Sequence, residues 1–76
     1  MTNRGYDDLR RDLASNLRRI RKDAGLSQDQ LSTLAQVDRS YVSQIEREVG
    51  NPSLHVLSSL ARTLNSDVLD LLSANM

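Results

Sequence analysis

Leu9, Leu13, Leu17 and Ile20 recur at intervals of four, four and three residues, so one side of the first segment is a continuous apolar stripe at helical spacing, and Gly25 ends it. The next stretch, Leu26-Ser27-Gln28-Asp29-Gln30-Leu31, places Ser27 to cap a helix while Gln30 returns the bond, and Leu26 and Leu31 flank that box at staple positions. A second helix is therefore predicted over residues 28–36, burying Leu31, Leu34 and Ala35. Only Val37 separates it from Asp38, a short polar residue suited to an N-cap, behind which Val42 and Ile45 define the inner side of a third helix ending near Glu48. So short a connection makes the two helices cross steeply. After Val49-Gly50-Asn51-Pro52, Ser53 caps a fourth helix carrying Leu54, Leu57, Leu60, Ala61 and Leu64 on one face. Asn65-Ser66-Asp67 breaks it, and a last short helix runs from Val68 to about Ser73, with Val68, Leu71 and Leu72 on one side and Leu69 facing elsewhere.

Composition narrows this to an all-α class. Thirteen Leu stand against two Tyr and no Phe or Trp, so the core is aliphatic and strands are not expected. Seventy-six residues suffice for one small domain, and 38% apolar with 26% charged residues is ordinary for a chain that folds. Residues 1–8 are expected to form a flexible N-terminal arm ahead of a single domain over 9–76. The absence of cysteine removes disulfides, thiolate metal sites and thiol nucleophiles, and points to a reducing compartment. No run approaches membrane-span length, and Met1 to Gly5 lack the apolar core of a signal peptide, so a cytoplasmic protein with no membrane partner is expected.

The net charge is zero, but it is unevenly distributed. Residues 1–25 carry seven basic and four acidic side chains, a net of +3, and residues 26–76 carry three and six, a net of −3. Such asymmetry can orient a molecule on a polyanion, or simply describe a solvated basic helix face. In the third helix the side opposite Val42 and Ile45 presents Arg39, Ser40, Ser43 and Gln44. These are side chains that read base edges: Arg forks onto O6 and N7 of guanine, Gln pairs with N6 and N7 of adenine, and Ser is permissive. By periodicity alone this is a polar face like any other. Nearby, the second helix's N-terminus with Gln28 offers a phosphate site, and Arg47 and Asn51 offer grips on a backbone or are merely solvated. Catalysis has nothing to build on: His55 is the only histidine, an exposed side chain rather than a ligand, and no glycine-rich phosphate loop exists. No cofactor and no metal are expected.

The run from Leu26 to Leu31, followed by Leu34-Ala35, Val37, Arg39-Ser40-Tyr41-Val42-Ser43-Gln44-Ile45-Glu46-Arg47 and Asn51-Pro52-Ser53-Leu54, resembles the Xre, Cro and phage-repressor helix-turn-helix family. The resemblance extends without a gap from about Leu13 to Leu72. It implies a compact five-helix bundle of the lambda-repressor-like DNA-binding type, whose second and third helices form the DNA-binding unit, the third lying in the major groove of a two-fold operator. Arg39, Ser40, Ser43 and Gln44 occupy the family's base-reading positions, and Gln28, Tyr41, Arg47 and Asn51 match positions that contact the sugar-phosphate backbone. Tyr41 is as well suited to packing on the second helix. Arg21 and Glu46 match a pair that in similar proteins joins the first helix to the end of the third. Two departures stand out: the family often has Gly where this chain has Gln36 and Glu48, positions that favour a left-handed backbone, and Glu48 adds a negative charge near the expected DNA.

A single domain reading a few base pairs binds too weakly against genomic competitors, so a homodimer on paired half-sites is expected. The interface is assigned to the fourth and fifth helices through Val56, Leu69 and Leu72. The whole looks like a transcriptional regulator: a restriction-modification controller protein, a stand-alone repressor or an antitoxin. Its partners would be a double-stranded DNA operator and a second copy of the chain, with RNA polymerase or a toxin protein as further candidates. The competing class is a protein-interaction module that keeps the bundle but binds another protein through the fourth and fifth helices, which the neutral net charge and acidic residues 26–76 allow; a purely structural helical protein would leave the polar third helix unexplained.

Overall fold

The apolar stripes fold as helices in the computed structural model, which describes residues 3–75: α1 (Tyr6–Asp23), α2 (Gln28–Ala35), α3 (Arg39–Glu46), α4 (Leu54–Thr63) and α5 (Val68–Leu72). Among the described residues there is no strand. Side chains cap the last four starts. Ser27 Oγ accepts from the Gln30 N–H at 3.0 Å while Gln30 Oε1 accepts from the Ser27 N–H at 2.8 Å, and Asp38, Ser53 and Asp67 each accept from a backbone N–H of the helix they precede.

The helix ends share one device. At α1 through α4 the chain turns through a left-handed residue, at Gly25, Gln36, Glu48 and Asn65, with φ of 74, 58, 61 and 55°. The residue after each turns its N–H back onto the helix: Leu26 to Arg21 O, Val37 to Ser32 O, Val49 to Gln44 O and Ser66 to Ala61 O, at 3.2, 3.1, 2.9 and 2.8 Å. Glycine meets this requirement only at the first. Gln36 and Glu48 adopt the conformation expected of them without glycine's freedom, each at a cost on the order of 1 kcal/mol.

α1 packs against α3 and α5, α2 against α3 and α4, and α4 against α5. Leu13, Leu17, Leu31, Val42, Ile45, Leu57, Leu60, Leu64 and Leu71 fill the space between them. Three sequence expectations about this core are corrected. Leu34 and Leu54 are 60% and 74% exposed, because each lies at the rim of its stripe where no neighbouring helix reaches it. Val56, assigned to a dimer surface, is buried in the core cluster instead.

The first helix begins at Tyr6, so Tyr6, Asp7 and Asp8 of the expected arm are helical, while its first two residues lie outside the described ones. Arg4 is anchored as well, Nη1 donating to Asp12 Oδ2 at 2.7 Å. Two buried polar residues of α1 tie down the far end of the chain. Asn16 Nδ2 donates to Leu71 O at 2.9 Å and Ser73 O at 2.8 Å, capping α5 from across the bundle, and Asn75 donates to Asp12 at 3.4 Å.

Candidate nucleic-acid interface

α3 is fixed from behind at its C-terminal end. Glu46 is 3% exposed, and its carboxylate accepts a fork from Arg21, Nε to Oε2 at 2.7 Å and Nη2 to Oε1 at 2.9 Å, plus Gln28 Nε2 at 3.1 Å. Burial pushes this carboxyl toward the neutral form, but the Arg21 and Gln28 hydrogen bonds outweigh it and hold the group below its ordinary value. Arg21, in turn, is raised above its ordinary value by the bond to Glu46. Arg21 Nη1 also donates to Leu26 O at 2.9 Å, and Arg18 Nη2 donates to Glu46 O at 2.6 Å. One buried carboxylate thus joins α1, α2 and α3. The Arg21–Glu46 pair has the partners the family pattern implies; Arg18 and Gln28 in this network were not foreseen.

The outer face of α3 is open. Arg39, Ser40 and Tyr41 are exposed, Ser43 and Gln44 half-buried, and Gln28, Asp29, Asp38, Arg39, Ser40 and Ser43 line a shallow concavity between the two helices. Ser40 N and Oγ both donate to Asp38 Oδ1, at 2.8 and 2.7 Å, which holds the Asp38 carboxyl below the usual range. The single hydroxyl proton of Ser40 is therefore committed, and outward it presents lone pairs. Arg39 Nε lies 3.1 Å from Asp29 Oδ1 on α2, a contact the spacing did not announce because its partners sit on different helices.

The residues expected to contact the sugar-phosphate backbone are more dispersed. The Gln28 side chain is occupied by Glu46, so what α2 offers a phosphate is main chain: its capping box uses the N–H groups of Ser27 and Gln30, leaving those of Gln28 and Asp29. Arg47 and Asn51 are exposed beyond the end of α3. Gln44, Tyr41 and Asn51 line a small cleft with Gly50, where a Cβ would lie 3.1 Å from Gln44 Oε1. His55 is exposed. Among the described residues no cluster of His, Asp or Glu is suited to hold a metal, and no helix is long and apolar enough to cross a membrane.

Two helices joined by a tight left-handed turn, the second braced from beneath and polar outward, define a helix-turn-helix DNA-binding domain. A family model described as Helix-turn-helix matches residues 17–71, and the chain belongs to the Xre-type helix-turn-helix family of DNA-binding transcriptional regulators. It is 38% identical over 68 residues to the control protein C.SmaI of Serratia marcescens, spanning 90% of this chain and 81% of that protein. Among solved structures it is similar to the hypothetical transcription factor NHTF from Neisseria, with 34% identity, a TM-score of 0.85 and coverage of 97% of this chain and 85% of that one. It also resembles the restriction-modification controller protein C.AhdI from Aeromonas hydrophila, with 37% identity, a TM-score of 0.77 and coverage of 82% and 94%.

Proposed function

We propose that this regulator binds a two-fold symmetric operator as a homodimer, with α3 in the major groove, and that it acts in the cytoplasm as a controller of the restriction-modification kind. The observation that carries the DNA geometry is the contrast between the two sides of α3: a back locked by Glu46 to two other helices, and a polar front of exposed Arg39 and Ser40 with half-buried Ser43 and Gln44. A rigid helix with a free polar face suits base reading, since side chains must meet base edges without the helix itself rearranging. Arg47 and Asn51, beyond the helix, are in reach of the flanking backbone, and Tyr41 is exposed enough to join them. The controller assignment is supported by the likeness to C.SmaI and C.AhdI over 81% and 94% of their lengths.

For dimerisation, Leu69 is the supporting residue, 73% exposed on α5 with no partner in the bundle; Leu72 contributes its half-buried edge. Val56 has no share in it. Incubating the full chain with a random duplex pool at near-physiological salt and sequencing what is retained tests the reading. Enrichment of an inverted repeat with half-sites about one helical turn apart is expected. Retention of single, unpaired sites would refute the dimer, and no enrichment with the protein folded would refute the operator reading.

A further inference from the structure

Arg39 reaches across from α3 to Asp29 on α2 through Nε, at 3.1 Å. Its side chain is 80% exposed and that of Asp29 64%, so the pair contributes little to folding. Its geometry matters more than its strength. A guanidinium presents five N–H donors in a rigid plane, and a carboxylate beside its Nε end leaves the two terminal nitrogens, with their parallel donors, uncommitted. That free edge matches O6 and N7 of guanine. Both residues line the same concavity between α2 and α3, where a base edge would enter.

We propose that Asp29 is a specificity-positioning residue: its carboxylate holds the Arg39 guanidinium by charge at the Nε end, so that the terminal nitrogens meet a guanine. The inference rests on Arg39 reading a base and adds which residue aims it. An untethered arginine here would sample rotamers that reach neighbouring bases and phosphates, so its preference for one base pair would broaden. The tether also has an electrostatic cost, because a carboxylate at the first turn of α2 repels phosphates. Removing it should therefore affect total affinity and base discrimination in opposite directions, a signature that a merely structural role does not produce.

The test uses the full chain and the random duplex pool, comparing base frequencies in sites retained by the original protein and by Asp29→Ala, Asp29→Asn and Arg39→Ala. Asp29→Ala should bind the pool as tightly or more tightly, while preference for guanine at one position falls by about two- to fivefold, the factor an exposed ion pair corresponds to. Asp29→Asn, which keeps the shape and removes the charge, should lose that preference to a similar extent. Arg39→Ala should abolish it at the same position. If Asp29→Ala leaves every base preference unchanged while Arg39→Ala erases one, the positioning role is wrong and base reading by Arg39 stands. If Arg39→Ala changes no preference, both are wrong.

Discussion

Replacing one side of the Arg21–Glu46 pair should destabilise the domain far more than replacing both. At a charge separation of about 4 Å and an effective dielectric constant of about 20, the attraction is about 4 kcal/mol, and stripping water from the two groups consumes a comparable amount. The pair's net contribution is therefore small, but its members are not independent. Their side chains are 10% and 2% exposed, so whichever remains is a buried charge. Arg21→Met leaves the Glu46 carboxylate with Gln28 at 3.1 Å and the Arg18 Nε at 3.6 Å, partial compensation only. A loss of about 3 kcal/mol, the lower part of the range for a broken buried pair, is expected. Glu46→Leu should cost less, because the long Arg21 stem can carry its charge outward. The double variant should come within about 1–2 kcal/mol of the original chain. Urea unfolding near neutral pH measures this directly. A domain this small lies near the lower end of the usual ~5–15 kcal/mol, so the Arg21→Met midpoint should fall by roughly half with an unchanged slope. Two single changes that each cost under about 1 kcal/mol and add in the double variant would refute the reasoning.

Because the Glu46 carboxyl is held below its ordinary value near 4.5, the unfolded chain takes up this proton first on acidification; stability should decline as pH falls below about 4.5 and continue to fall until Glu46 protonates in the folded state, and Glu46→Gln should flatten that limb in unfolding measured across pH. Gln36→Gly should raise stability by about 0.5–1 kcal/mol by relieving a left-handed side chain at φ 58°, whereas a loss in thermal or urea unfolding would show the turn to be unstrained. Arg39→Ala should cost roughly 1–3 kcal/mol of binding and relax one base pair, while Arg47→Ala should weaken all duplexes alike and flatten the salt dependence; equal losses on every sequence for both would end the distinction between them. Leu69→Asp should shift the sedimentation profile toward monomer with the fold retained by circular dichroism, and an unaltered profile would move the interface elsewhere.

Helix positions and caps were legible because their causes are local: Ser27 with Gln30, Asp38 ahead of Ser40 and Ser53 ahead of Val56 each act within three residues. The stripes indicate which side faces inward but not how far the neighbouring helix extends, so spacing alone predicts neither the exposure of Leu34 and Leu54 nor the burial of Val56. The polar anchors depend on partners far along the chain. Asn16 meets Leu71 and Ser73 more than fifty residues away, and only its place inside the first stripe, three after Leu13 and four before Ile20, hints that it is buried. Arg21 was legible through family resemblance, since its partner lies 25 positions distant. Asp29 reads as an ordinary first-turn acid until α3 is laid across it.

The Asn16 and Arg21 contacts lie five residues apart on α1, about 7.5 Å of a continuous helix. At one point that helix holds the tail of α5 and at the other the end of α3. If two chains meet through α5, α1 acts as a stiff strut between the subunit contact and the groove-reading surface. The span between two reading helices would then be a fixed length in the architecture, set by side chains that touch neither the DNA nor the second subunit. Drift in Asn16 or Arg21 over evolutionary time would alter which operator spacing the regulator accepts while leaving its half-site alphabet untouched.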